Sequence, residues 1–388
     1  MNSIPFNKPF LVGREFDYLH QALESGNASG DGPYTQQCCD ILESMTGGTC
    51  LLTPSCTAAL EIAAMVACLG PGDEVLMPSF TYVSTANAFV RQGAKPVFLD
   101  ISPDTFNLDP DQLEQALTKR TKALVVMHYG GVPGRIDSYR SFAKKHSLIL
   151  IEDAAAAIGS WFNNEPAGSF GDLAAFSFHE TKNIGCGQGG ALVINREGWI
   201  ELARIIHDRG TDRAAFLRGE VSAYTWQQPG SAFCMSELPA AYLLAQLSEL
   251  DAINRRRRTL VERYEANLDP LFHQGILSGR QVPEACTNNY HVFPILLPTL
   301  EARESLRKAL LESGILSVFH YQPLHLSPMG KSHCRSPFPL PVTESIASRI
   351  LRLPLFNSMT VSEVDFVCEQ IFRHFEDSAL YRETLFAI

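Results

Sequence analysis

The sequence predicts an α/β protein with a large, mostly parallel sheet domain and a smaller α+β domain at the C-terminal end. Two observations favour this architecture. Short apolar, β-branched runs alternate with helical patterns over the first part of the chain, and after about Leu250 long helical patterns dominate. A chain of 388 residues is also long enough for two domains. We place the N-terminal arm and large domain at 1–245 and the small domain at 246–388.

The elements of the large domain follow from hydrophobic patterning. A first helix is predicted at 16–26, after the N-terminal arm. Continuously apolar runs, typical of strands covered on both faces, predict strands at 74–79, 95–100, 123–131 and 148–155. Helical patterns between them predict helices at 81–93, 110–120 and 137–146. Strands that alternate with helices indicate parallel βαβ units.

The small domain shows a different pattern. Helices are predicted at 254–272 and 301–314, and a last helix at 361–375. Strands are predicted at 291–297 and 315–321. The segment 327–341 is rich in proline, serine and glycine and is predicted to be a loop.

Composition narrows the functional classes. The net charge of −10 at pH 7 disfavours general nucleic-acid binding, and the arginine run at 255–258 is interpreted as a solvated helix face. The start of the chain lacks the apolar core of a secretory signal, and we find no apolar run long enough to span a membrane. The ten scattered cysteines contain no CxxC pair, so we expect reduced thiols, a cytoplasmic protein and no metal site.

Polar groups follow the predicted strands where parallel sheets gather their ligands, at the carboxyl ends. Asp153 ends one strand and His128 ends another. Tyr82 lies in the turn after a third strand. Ser177 and Lys182 belong to SFHETKNIGCGQGG, a segment in which glycines follow the lysine. A carboxylate, an aromatic ring and a lysine are therefore expected at one rim of the sheet.

A candidate anion site lies at the start of the helix predicted in TPSCTAALEIAAMVACLGPGDEV. Ser55 is a good N-cap, and small residues fill the first turn. The free backbone N–H groups and the positive end of the helix dipole suit a phosphate. An ordinary capped helix that binds nothing is the alternative.

Together, a phosphate seat, a buried carboxylate, an aromatic ring and a lysine on a loop are what pyridoxal 5'-phosphate requires. The lysine forms a Schiff base with its aldehyde, and the carboxylate keeps its pyridine nitrogen protonated. A nucleotide-binding α/β domain with a surface lysine is the alternative. Against it, no GxGxxG follows the first strand and no GxxxxGKS occurs.

The chain resembles the DegT/DnrJ/EryC1/StrS aminotransferases over essentially its whole length. The resemblance rests on PSCTAAL, GPGDEVLMPSFTYVSTANAF, GAKPVFLD, IEDAA, GDLAAFSFHETKN, GQGGALV, MSELPAAYLLAQL and VFHYQPLH. It implies a fold-type-I pyridoxal-phosphate transferase, similar to aspartate aminotransferase, that forms a homodimer with shared active sites. The site residues that it implies are Lys182 for the Schiff base, Asp153 for the pyridinium, Thr57, Ala58 and Ser177 for the phosphate, and Tyr82 over the ring.

Three segments depart from the family pattern. Ala156 stands where a glutamine or histidine commonly bonds the ring oxygen of the cofactor. Gln188 stands where a glutamate is usual. In the segment GSAFCMSE, Ala232 and Cys234 replace an asparagine and an arginine, and Ser231 is proposed to compensate as a cofactor contact.

Within the family, SFHETKN, PSCTAAL and VFHYQPLH most resemble enzymes that use L-glutamate to aminate a dTDP-4-oxo-6-deoxyhexose. The products are dTDP-4-amino-4,6-dideoxy-D-galactose and 2-oxoglutarate, for surface polysaccharides such as O-antigen or common antigen. The resemblance implies that His320, Tyr321 and His325 lie on the sugar side of the site. A strand followed by a proline turn is the alternative for that segment.

Other activities also stay open. An enzyme that makes a 3-amino or gluco-configured sugar is one, and a non-catalytic regulator with the same fold is another. Some relatives are dehydratases in which histidine replaces the lysine. Lys182 is retained here, which favours transamination.

Overall fold

The computed structural model describes residues 3–377, so the predicted domains extend at both ends beyond the described residues. The domain boundary itself stays a prediction. The strands are β1 (Thr49–Thr53), β2 (Glu74–Pro78), β3 (Lys95–Leu99), β4 (Thr121–Met127), β5 (Ile149–Asp153), β6 (Trp161–Phe162), β7 (Glu165–Pro166), β8 (Leu173–Ser177), β9 (Gly190–Ile194), β10 (Ser278–Gly279), β11 (Cys286–Thr287), β12 (Phe293–Leu296) and β13 (Ile350–Leu353).

The α-helices follow the same chain order. They are α1 (Glu15–Glu24), α2 (Pro33–Thr46), α3 (Cys56–Val66), α4 (Val83–Arg91), α5 (Leu113–Ala116), α6 (Ile136–His146), α7 (Ile200–His207), α8 (Arg213–Leu217), α9 (Glu237–Leu247), α10 (Leu250–His273), α11 (Leu300–Glu312), α12 (Pro328–His333), α13 (Pro341–Arg349) and α14 (Val361–Asp377). Across the described part of the chain, no helix combines the length and apolarity needed to cross a bilayer.

A seven-stranded sheet in the order β1-β9-β8-β5-β4-β2-β3 carries the larger part of the molecule. The strand β9 runs antiparallel to both of its neighbours, and the other pairings are parallel. The carboxyl ends of β2, β4, β5 and β8 therefore meet at one edge, since parallel strands share their direction. This confirms the predicted fold class.

Two apolar layers cover the faces of this sheet. Because side chains alternate along a strand, neighbouring residues of β2 enter different layers. Val75 packs in the layer with Ile62 and Phe89, which come from α3 and α4. Leu76 packs in the layer with Phe142 of α6. Because apolar layers cover both faces of the sheet, its strands are continuous apolar runs and do not alternate between apolar and polar residues.

The second half of the chain builds a small antiparallel sheet in the order β10-β12-β13. Helices α10, α11 and α14 pack on it through apolar residues such as Leu260, Leu306 and Ile371. The N-terminal arm joins this cluster through Ile4, whose backbone bridges to Ile315.

Four predictions of local structure need correction. Residues 315–321 form isolated bridges at Ile315 and Val318 rather than a strand. The predicted loop at 327–341 contains α12, because Ser327 caps a helix whose first residue is proline. The helix predicted at 110–120 is reduced to a 3₁₀ turn and the short α5.

The fourth correction concerns the arginine run, which is not a wholly solvated face. Arg257 is only 3% exposed. Its guanidinium donates to the carbonyls of Tyr290, His291 and Leu355 and to the amide oxygen of Asn357. The guanidinium of Arg257 thus donates mainly to backbone carbonyls, whereas the sequence pattern predicts that it donates to solvent.

Candidate active site

A cavity of about 530 Å³ opens at the carboxyl edge of the large sheet. Residues from α3, the β2–α4 turn, β5, β8 and the β8–β9 loop line it. Among the predicted site residues, the structure brings together seven around this cavity: Thr57, Tyr82, Asp153, Ser177, Lys182, His320 and Tyr321.

The carboxylate of Asp153 is fixed in orientation at the end of β5. The residue is 4% exposed. Thr85 of α4 donates its hydroxyl to Oδ2 at 2.5 Å, and the backbone N–H of Ala155 donates to Oδ1 at 3.2 Å. The hydroxyls of Thr81 and Thr85 lie 2.8 Å apart. A buried carboxylate with directed donors is suited to hold one ring nitrogen in a set position.

Lys182 lies half-buried on the loop between β8 and β9. Burial lowers the pKa of Lys182 below its ordinary value, Cys56 and Asp153 act in the opposite direction, and Arg352 adds to the lowering. A lower pKa leaves a larger fraction of neutral amine near pH 7. The neutral amine is the form that attacks a carbonyl and accepts a proton.

The first turn of α3 forms an anion seat beside this lysine. The hydroxyl of Ser55 caps the helix by accepting the N–H of Ala58 at 3.1 Å. Ala58 is predicted to donate to the phosphate, but its backbone N–H already donates to the cap residue Ser55. Ala58 also does not line the cavity. Cys56 and Thr57 do line it, and their N–H groups have no acceptor within the helix. Thr57 also presents a hydroxyl, bonded to Ser84 Oγ at 2.8 Å.

Gly190 allows the sheet to approach this helix terminus closely. A Cβ atom at Gly190 would lie 2.4 Å from the backbone nitrogen of Cys56 and 2.4 Å from the carbonyl carbon of Ser55. Only glycine leaves α3 in contact with β9. The close contact between β9 and the start of α3 thus explains why the last residue of GQGG is glycine. Gln188 lines the cavity, and nothing in the structure explains its exchange for glutamate.

Tyr82 precedes α4 at its N-cap position and lines the cavity. Its exposed fraction of 60% excludes a role in the apolar core. An exposed aromatic ring at the cavity mouth is able to cover a planar ligand.

His320 and Tyr321 bring an aromatic wall from the second half of the chain. Their rings stack with centroids 3.8 Å apart, and the hydroxyl of Tyr129 lies 2.9 Å from Nδ1 of His320. Burial, with Arg352, His291 and Lys182 nearby, lowers the pKa of His320 well below its ordinary value. This wall is therefore uncharged at neutral pH.

The structure does not bring His325 to the cavity. A 3₁₀ turn at Leu324–Leu326 follows Pro323 and directs the imidazole elsewhere. Its Nδ1 lies 2.7 Å from Ser79 Oγ, and its Nε2 lies 3.2 Å from Glu344 Oε1. The prediction that His325 contacts the substrate is not supported, and the proline-turn alternative describes this residue better.

Ser231 also lies away from the lining of this cavity. It belongs to the segment 216–232, which is exposed throughout. Arg209 and Arg213 nearby both pair with Asp208, with nitrogen–oxygen distances of 2.5 and 3.6 Å. Any contact of Ser231 with a cofactor would have to be made in another copy of the chain.

Among the lining residues that sequence reasoning missed are Phe6, His291 and Arg352. They come from the N-terminal arm, from the segment just before β12 and from β13. No local motif marks them, because they reach the site only through the tertiary fold.

Comparisons with known proteins agree with this geometry. The model of the DegT/DnrJ/EryC1/StrS aminotransferase family matches residues 10–372. The aminotransferase TlmJ from Streptoalloteichus hindustanus is 28% identical, with a TM-score of 0.88 over 96% of this chain and 99% of that chain. A DegT DnrJ EryC1 StrS aminotransferase from Brucella abortus is 29% identical, with a TM-score of 0.85 over 94% and 96% of the two chains.

A third structure is the PLP form of Spr1654 from Streptococcus pneumoniae, which is described as a sugar aminotransferase. It is 27% identical, with a TM-score of 0.86 over 96% of this chain and 98% of that chain.

Proposed function

Because the chain belongs to the DegT/DnrJ/EryC1/StrS aminotransferase family, we propose that it aminates carbon four of a dTDP-4-oxo-6-deoxyhexose with L-glutamate as donor. The products are dTDP-4-amino-4,6-dideoxy-D-galactose and 2-oxoglutarate. The chain is a sugar aminotransferase that uses pyridoxal 5'-phosphate. One observation carries the amino-transfer chemistry, since Lys182, Asp153 and a helix N-terminus meet in one cavity, and the choice of sugar rests on the sequence resemblance.

The residues of the cavity fit the cofactor. The first turn of α3, with Thr57 and Ser177, offers donors for a phosphate group, and Gly190 keeps that turn in place. Asp153 is fixed by Thr85 and would hold the ring nitrogen, and the exposed Tyr82 would cover the ring. When bound, pyridoxal phosphate supplies an electron sink that makes the α-proton of an amino acid removable.

The side chains then perform proton transfer and positioning. The amine of Lys182 accepts the α-proton of glutamate and later delivers a proton to the former carbonyl carbon of the sugar. With the cofactor bound, the carboxylate of Asp153 would stabilise a positive charge on the ring nitrogen by Coulomb attraction. His320 and Tyr321 form an uncharged wall on which a sugar ring can pack. Overall, the amino group of glutamate passes to the sugar. The ketone oxygen of the sugar leaves as water, and water supplies the ketone oxygen of 2-oxoglutarate.

We also propose a homodimer with shared sites. The segment 216–232 exposes Phe216, Tyr224 and Trp226 in the single chain. A second copy would cover these apolar side chains and would bring Ser231 towards a neighbouring site. The ten free cysteines support a reducing, cytoplasmic location. Synthesis of a surface polysaccharide is the pathway that we propose for the product.

Incubation with glutamate and several nucleotide ketosugars tests the reaction, with NMR of the product. The expected product carries its amino group at carbon four in the galacto configuration. Amination at carbon three, or a gluco product, would support the related enzymes instead. A protein that binds the cofactor but never converts glutamate would support a regulator.

The role of Lys182 has a separate test. Borohydride should fix the cofactor onto the peptide that contains Lys182, as seen by mass spectrometry. The variant Lys182→Ala should lose both this adduct and turnover. Turnover of glutamate and ketosugar by Lys182→Ala would contradict the assignment.

A further inference from the structure

Tyr129 is a fully buried tyrosine that lies just beyond β4. Its ring packs against the rings of Phe80 and Phe106, with centroid distances of 5.3 and 5.6 Å. The backbone that carries this ring is held as well. The N–H of Tyr129 donates to Oδ1 of Asn107 at 2.8 Å, and its carbonyl accepts from a terminal nitrogen of Arg280 at 2.6 Å. The fold therefore fixes the position of the Tyr129 hydroxyl.

This hydroxyl has one hydrogen-bond partner among the described residues, Nδ1 of His320 at 2.9 Å. Burial raises the pKa of Tyr129 to about 12, although Arg352 and Arg280 oppose the shift, so the hydroxyl keeps its proton. Because no other acceptor in the described part of the chain bonds this proton, it is donated to Nδ1. The reverse arrangement would leave a buried hydroxyl proton unsatisfied, at a cost in free energy.

The bond from Tyr129 determines which nitrogen of His320 carries the ring proton. A neutral imidazole has one N–H, so an accepting Nδ1 leaves the proton on Nε2. The ring stays neutral, because burial and nearby cations lower the pKa of His320 well below its ordinary value. His320 lines the cavity, and its Nε2 bonds to no described residue and stays accessible. An N–H group of fixed direction is thus offered to a ligand.

We propose that Tyr129 is a positioning residue, which holds His320 in the tautomer whose Nε2 donates a hydrogen bond to an oxygen atom of the sugar acceptor. The choice of a sugar rests on the proposed function. The oxygens of a ketosugar are neutral acceptors, and they suit a neutral donor in an uncharged wall, whereas a carboxylate would gain more from a cation. Rotation of the imidazole by half a turn would break the bond to Tyr129, so the donor keeps its direction.

The tautomer has a spectroscopic test that needs no substrate. Nitrogen NMR of the cofactor-loaded protein with isotope-labelled histidine distinguishes a proton on Nε2 from one on Nδ1, and the variant His320→Gln assigns the signal. The unaltered protein should carry the proton of His320 on Nε2. In Tyr129→Phe, which lacks only the hydroxyl, a measurable fraction should carry it on Nδ1. A proton on Nδ1 in the unaltered protein, or the same tautomer in both proteins, would overturn the inference.

Kinetics of the two half-reactions separate the sugar from the amino donor. In Tyr129→Phe, kcat/KM for the ketosugar should fall about fivefold or more, mainly through KM. Conversion of glutamate without any sugar should stay within about twofold, because Tyr129 acts on the sugar side.

A double variant shows whether Tyr129 acts through His320. The variant His320→Gln places an amide N–H near the position of Nε2 but has no ring nitrogen for the tyrosine to bond. Addition of Tyr129→Phe to His320→Gln should therefore change kcat/KM for the sugar by less than about twofold. A further loss of about fivefold would mean that Tyr129 acts by packing alone, which contradicts the proposal.

Tyr139→Phe is the matched control. Tyr139 is also buried, its hydroxyl donates to the carbonyl of Leu108, and it does not line the cavity. This variant should lose some stability and keep both the sugar kinetics and the tautomer of His320. If the protein does not aminate the proposed sugar, the proposed function fails while the NMR result stands. An intact sugar reaction with the wrong tautomer would overturn this inference alone.

Discussion

Thr85 and Asp153 are 68 residues apart in the chain, and the hydroxyl of Thr85 donates to Oδ2 of Asp153 at 2.5 Å. A helix after β2 thereby orients a carboxylate at the end of β5. Asp153 cannot rotate without breaking this bond. The electrostatics of the site thus depend on a residue that does not itself line the cavity.

Removal of that hydroxyl should slow the reaction without unfolding the protein. Thr85→Val keeps the shape of the side chain but loses a hydrogen bond to a charged group, worth about 1.5–3 kcal/mol. We expect kcat for glutamate conversion to fall about tenfold or more. Thr85→Ser keeps the hydroxyl and should retain most of the activity. Equal losses in both variants would mean that packing, not the hydrogen bond, matters.

Substitution at Gly190 should damage the anion seat. In Gly190→Ala the new Cβ meets the backbone of Ser55 and Cys56 at 2.4 Å, so the start of α3 must move. Overpacking of this kind costs about 1–3 kcal/mol. Fluorescence titration should show weaker cofactor binding, and thermal unfolding a lower midpoint. At Gly198 no atom lies within 4 Å of an added Cβ, so Gly198→Ala is the neutral control.

Stability should fall between about pH 7 and pH 5.5 because two half-buried histidines have a lowered pKa. Burial lowers the pKa of His291 and His320 well below 6.5, and nearby cations including Lys182 and Arg352 add to this effect. In the unfolded chain both histidines bind protons below about 6.5, whereas the folded protein keeps them neutral. Each can contribute up to about 1.4 kcal/mol per pH unit to the loss.

Urea unfolding at pH 7.5 and 5.5 measures this dependence. His291→Gln should make the free energy of unfolding less sensitive to pH. His273→Gln removes an exposed histidine on α10 and should leave the dependence unchanged. The same slope in His291→Gln as in the unaltered protein would exclude this explanation.

A buried carboxylate should stabilise the region before the large sheet. Glu237 is 1% exposed, and it accepts the N–H groups of Gly32, Tyr34 and Thr35 at the start of α2. Glu237→Gln removes the charge that matches these donors, so unfolding should become easier by about 1–3 kcal/mol. Chemical unfolding measures the change. Glu249→Gln, in the short link between α9 and α10, is the matched control and should change stability little.

Local patterns in the sequence predict the strands and the polar residues at their ends, because both are encoded by residues that are adjacent in the chain. The apolar run before Asp153 predicts β5, and Lys182 follows a strand within a few residues. His325 was misplaced because the turn after Pro323 depends on contacts with Ser79 and Glu344, which are distant in sequence. Arg352 was missed for a similar reason, since only folding brings β13 to the cavity.

The hydrogen bonds of Arg257 have a consequence for how the protein is assembled. This arginine of α10 donates hydrogen bonds to the carbonyls of His291 and Leu355, and both of these residues line the cavity. The catalytic pocket is therefore finished only when the second half of the chain has docked. During refolding, the amide protons of α10 should become protected from exchange in the same kinetic phase in which catalytic activity returns.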